Sequence, residues 1–88
     1  MMEDIEQYLI EQNFEETGSG NWGEDLTNPD DSFSAWLSLS GRTAGIVVWI
    51  FVDHFIAFRD GEEPDDSAAR YGRSVKDLIK AIDALVIN

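Results

Sequence analysis

The chain has 88 residues and a formal net charge of −12 at neutral pH. It contains no cysteine, which excludes disulfides and thiolate metal sites, and a charge of that sign excludes a surface built to hold phosphates. Hydrophobic residues at 43% and aromatics at 11% exclude a disordered chain, because disordered segments are poor in both.

One domain over residues 1–88 is expected, of a size that buries only about 60–65% of its unfolded surface. Glu3 and Asp4 stand where a signal peptide would carry a basic segment and an apolar run. The longest apolar stretch, residues 44–52, is about half of what crosses a bilayer. A soluble, cytoplasmic protein with no membrane association is the expectation.

Residues 4–12 read as a short helix. Ile5, Tyr8 and Leu9 form one apolar stripe, and Glu3, Asp4 and Glu6 stabilise the positive end of the helix dipole. Asn13 suits the left-handed position that ends a helix, and Phe14 can pack back on the last turn. Residues 15–31, with Gly18, Gly20, Gly23 and Asn28-Pro29 around Trp22, read mostly as loop. A loop this long in a small domain is often functional.

Residues 32–40 alternate as a half-buried strand, with Phe33, Ala35, Leu37 and Leu39 on the apolar side and Trp36 among serines on the other. Gly41-Arg42-Thr43 is a turn into residues 44–52. That run is apolar on both faces, as in a central strand covered on both sides. Asp53-His54 turns into a last strand over residues 55–59. Residues 60–66 form a second acidic loop, and Pro64 suits the first turn of a helix that stops at Gly72. Ser74 and Asp77 have capping-box spacing before Val75, Leu78, Ile79, Ile82 and Leu85, which follow the helical period. The expected fold is α+β. It comprises an N-terminal helix, a three-stranded antiparallel meander and a C-terminal helix, possibly split, in a two-layer sandwich. The C-terminal helix is expected on the sheet face that carries Phe33, Leu37 and Leu39. The opposite face awaits cover by Trp22 and the first helix, or by a second copy in a homodimer.

Catalysis has weak support. His54 is the only histidine and lies beside Asp53, but no cysteine and no serine in a nucleophile-elbow context accompany it. Asp60, Glu62, Asp65 and Asp66 are hard oxygen donors, yet their spacing does not match a calcium-binding EF-hand. No enzyme activity, cofactor or dedicated metal is expected.

The acids are the informative feature. Residues 1–31 hold ten carboxylates and no Lys or Arg; every Lys and Arg lies past residue 41. Two clusters stand out as candidate partner-binding sites. One is Glu24, Asp25, Asp30 and Asp31 beside Trp22; the other is Asp60, Glu62, Glu63, Asp65 and Asp66. Carboxylates mixed with aromatics suit recognition, and a row of them can imitate a phosphate backbone, which carries about one charge per 1.7 Å of duplex. In size and charge the chain resembles, as a class, the phage-encoded DNA mimics such as anti-CRISPR and anti-restriction proteins. It is similar also to acidic immunity proteins that block nucleases. The resemblance implies an inhibitor that occupies the nucleic-acid site of a basic nucleic-acid-binding protein or nuclease complex, without binding nucleic acid itself. The alternative is a structural or oligomerising domain whose acids serve solubility.

Overall fold

Both ends of the first helix, α1 (Glu3–Glu11), follow local chemistry. Three acids occupy its first turn, Ile5 and Leu9 are buried on one side, and Asn13 adopts φ 66° just beyond it. The computed structural model describes residues 2–22, 31–65 and 68–86. The remaining elements are β1 (Phe14–Asn21), β2 (Ser32–Ser38), β3 (Ile46–Ile50), β4 (Phe55–Arg59), β5 (Arg70–Gly72) and α2 (Val75–Leu85). The fold is α+β, with a five-stranded antiparallel sheet in the order β1-β2-β3-β4-β5. The expected meander forms its centre, and one further strand joins at each edge.

Both added strands correct the sequence reading. β1 lies in what reads as loop, because Glu-Glu-Thr-Gly-Ser-Gly-Asn has little strand propensity. Apart from buried Phe14 and half-buried Asn21 its residues are exposed, so pairing with β2 holds it in the sheet. The helix expected from Pro64 to Gly72 is absent from the described residues of that stretch. Residues 70–72 instead pair with β4, Tyr71 opposite Ile56, and leave α2 as a single C-terminal helix.

The start of α2 matches its pattern. The Ser74 side chain accepts the Asp77 N–H at 3.1 Å, and the Asp77 carboxylate accepts the Arg73 N–H at 3.2 Å. Gly72 is required just before it. A Cβ there would lie 2.5 Å from Asp77 Cβ and 2.7 Å from the Phe55 ring, so the helix can press this closely on the sheet only over a glycine.

The two helices share one face of the sheet, which corrects the expected polarity of β2. The core beneath them combines Ile5 and Leu9 of α1 and Leu78, Ala81, Ile82 and Leu85 of α2 with Trp36, Ile46, Val48, Ile50, Phe55 and Ala57. The serine side of β2 therefore faces the helices. Trp36 is buried there, its indole N–H donating to Ser34 Oγ at 3.1 Å. Ser38 is buried with its hydroxyl 2.6 Å from that of Thr43. Phe33 belongs to the opposite face, while Leu39 and Ile79, expected inside, are exposed. Strict alternation separates two faces but does not say which one the helices cover. The small serines leave room for the Trp36 indole beneath the helices, and their hydroxyls have partners, so burying them costs little.

Candidate interaction surface

Most of the basic residues gather on one flank of the sheet, while acids occur on both. α1 leads into β1 and packs beside it, so Glu11 stands at the edge that carries Glu15 and Glu16; Glu3 and Asp4 are exposed in the first turn of α1, and Glu6 faces the ends of β2 and β3. At the other edge, Arg70 opens β5 and Arg73 follows it, and Lys76 and Lys80 are exposed on α2. Among the described residues, the one carboxylate paired with a Lys or Arg is Asp83, 2.9 Å from Arg42. Both partners are more than half exposed, so that pair contributes little to stability. Arg59 and Arg70 instead satisfy backbone carbonyls: Arg59 donates to Leu85 O at the end of α2, and Arg70 to Ala68 O and Ala69 O. The acids of the α1–β1 edge are left unneutralised.

The described members of the two acidic clusters singled out from the sequence lie at opposite ends of the sheet. The Trp22 N–H donates to Asp31 O at 2.9 Å, tying the end of β1 to the start of β2 near the β3–β4 hairpin. Asp60 follows β4 at the far end, where its N–H donates to Gly45 O at 2.7 Å. Glu24, Asp25, Asp30 and Asp66 lie outside the described residues. Trp22 and Asp31 are brought together; Asp60, Glu62, Glu63 and Asp65 form a separate group in the β4–β5 connection.

Pro64 does anchor that connection, though not by opening a helix. It is buried, and its carbonyl accepts the Tyr71 hydroxyl at 3.2 Å. Asp60, Glu63 and Asp65 are exposed. Glu62 is half-buried, with Oε2 enclosed and without a hydrogen-bond partner among the described residues.

A set of aromatic rings, which the sequence reading did not assemble, spreads over the sheet face away from the helices. Phe33 stacks on Trp49 at 4.0 Å, Trp22 meets Trp49 edge-on at 5.4 Å, and Phe58 does the same at 5.2 Å. Phe51 lies 5.4 Å from Phe33 and stacks on His54 at 4.5 Å. Such pairs contribute about 0.5–1.5 kcal/mol each beyond area burial. Ala69 packs with Phe51, Ile56 and Phe58, but Phe33, Val47 and Trp49 are only half-buried and Trp22 is 49% exposed. The face is partly closed rather than sealed. The alternation of residues 44–52 signals its apolar character; the convergence of rings from three strands requires the register.

His54 and Asp53 form a close pair, Nδ1 to Oδ1 at 2.7 Å, at the tip of the β3–β4 hairpin. That hydrogen bond lowers the Asp53 pKa from the ordinary value. No group of three or more His, Asp or Glu among the described residues is placed to hold a metal ion. No helix among them is long and apolar enough to cross a membrane. Comparison with protein-family models, curated proteins and solved structures finds no match for this chain.

Proposed function

We propose that this protein is a small, non-enzymatic acidic inhibitor of the DNA-mimic type, acting in the cytoplasm. Its partner is a basic nucleic-acid-binding protein or nuclease complex, of the kind blocked by anti-CRISPR, anti-restriction and immunity proteins. The observation that carries this reading is the unneutralised α1–β1 edge, with the Lys and Arg residues held elsewhere. Glu3, Asp4, Glu6 and Glu11 fall within about 12 Å of helix at 1.5 Å per residue. Averaged over the three intervals, their axial spacing is about 4 Å, of the same order as the roughly 3.4 Å between phosphates along one DNA strand. The second acidic group, in the Pro64 loop, offers a further contact at the opposite end.

A pull-down from bacterial lysate at low and high salt, followed by competition with duplex DNA, tests the proposal. A basic partner that salt releases and DNA displaces supports it. Lysine substitutions divide the surface into two arms. Glu11, Glu15 and Glu16 form one; Glu62 and Glu63 with Asp66 form the other. Reversal of one arm is expected to weaken binding far more than reversal of the other, with the circular dichroism unchanged. If both arms can be reversed without loss, the acids serve solvation and the proposal fails.

The half-buried aromatic face favours a second reading, a domain that associates with itself through Phe33, Val47 and Trp49. A net charge of −12 on each copy opposes that association. Sizing with light scattering decides: a monomer at high salt removes the second reading.

A further inference from the structure

A pocket of about 240 Å³ opens where the start of α1 meets the ends of β2 and β3. Met2, Phe33, Ile50, Phe51 and Val52 give it apolar walls, and among the described residues Ser32, Ser34 and one charged group, Glu6, make up the rest of the lining. Pockets for drug-sized ligands run to about 300–1,000 Å³, so this one has room for a single side chain rather than a cofactor.

Glu6 decides the charge of its occupant. It is half-buried, and its carboxylate has no hydrogen bond or ion pair among the described residues. Among the described residues, no Lys or Arg lines the pocket. The positive end of α1 does not convert it to an anion site, because Asp4 already accepts the Ile5 N–H at 2.9 Å and Glu3 lies in the same turn. An occupant must bring a cation to Glu6 and an apolar stem to the rings and aliphatic walls. Arginine fits better than lysine. Its planar guanidinium can fork a carboxylate and lie against aromatic rings, whereas a lysine ammonium is a compact, strongly hydrated point charge.

We infer that this pocket receives an arginine side chain of the basic partner, with the guanidinium on Glu6 and the stem between Met2, Phe33 and Phe51. The inference rests on the proposed function for the identity of the partner, but the pocket's preference for arginine can be measured without it. A buried arginine anchor amid a broadly acidic surface gives register to an attraction that charge alone leaves loose.

The probe is a short Gly-Arg-Gly peptide, with matched citrulline and lysine peptides, titrated into isotope-labelled protein and followed by amide NMR. The arginine peptide is expected to shift Met2, Glu6, Phe33 and Phe51 saturably. It should bind roughly tenfold more tightly than the neutral citrulline peptide, the scale of one charge-assisted hydrogen bond. Glu6→Gln should erase that preference with the fold intact by circular dichroism. Val52→Trp, at the exposed rim, should block the pocket while keeping the carboxylate. Equal binding of arginine and citrulline, or shifts confined to residues 60–65, overturns the inference. With the lysate partner, salt-sensitive binding that survives both variants overturns the pocket but leaves the mimic standing. Arginine binding in the pocket, without a DNA-displaced partner, supports the pocket and removes the mimic.

Discussion

The two faces of the sheet use similar side chains to different ends. Under the helices, Val48, Phe55 and Leu78 are fully buried, and even the polar members, Ser34 and Ser38, have hydroxyl partners. On the other face, Phe33, Val47 and Trp49 remain only half-buried although they pack together. Burying a large apolar side chain completely contributes about 1.5–3 kcal/mol, a sizeable share of the 5–15 kcal/mol typical of a whole domain. The first face is the more fully closed, although the second also buries Phe51, Ile56 and Phe58. The second retains apolar area that a partner could still bury, and its Phe33 and Phe51 also wall the pocket at its end.

Phe55→Ala should break the covered face. It removes a fully buried ring beneath α2 and is expected to cost about 3–5 kcal/mol, measured by chemical denaturation. A loss below about 1 kcal/mol, the scale of an ordinary surface change, would show that α2 does not seal this face.

Neighbours on β3 provide the matched comparison. Val48 points beneath the helices and Val47 to the aromatic side, so Val48→Ala and Val47→Ala delete the same atoms from opposite faces. About 2–3 kcal/mol is expected for Val48 and about 1 kcal/mol for Val47. Equal losses in the free protein would mean that the second face is as closed as the first.

The cap of α2 is a smaller lever on the covered face. Ser74→Ala leaves the Asp77 N–H without its acceptor and should cost about 1 kcal/mol. Phe33 and Trp49 fluorescence or amide shifts should stay unchanged if the two faces respond independently.

Acid titration gives the smallest effect. Asp77 has a pKa lowered chiefly by the Arg73 N–H, so its folded value lies below the unfolded value of 3.8. Its contribution is fully present above 3.8 and is lost as pH falls through the folded value. Asp77→Asn should flatten that part of the acid limb in a denaturation series; an unchanged limb would show that the hydrogen bond has no energetic weight.

Legibility in the sequence followed how local each cause is. α2 was legible because its cap and apolar stripe lie within a dozen residues, and β3 and β4 because their apolar runs are β-branched and aromatic. β1 was not, since its exposed residues carry no apolar pattern and are ordered by a partner strand. The Pro64 segment carried helix-start signals, but Pro64 and Asp65 lie in a turn and residues 70–72 form β5, because pairing of Tyr71 with Ile56 outweighed a weak local preference. At the candidate surface, the excess of acid was plain from composition. The meeting of Glu6 with Phe33 and Phe51 in one pocket depended on contacts between elements distant in the chain.

The sequence by itself determined the α+β class, the central antiparallel strands, the cap of the last helix and the large negative charge, all of which arise from propensities, periods and charges of neighbouring residues. Only the tertiary structure decided which side of β2 the helices cover, that five strands rather than three complete the sheet, and where the acids and rings meet. Those choices depend on which surfaces bury together at least cost, a competition between residues far apart in sequence that no local pattern resolves.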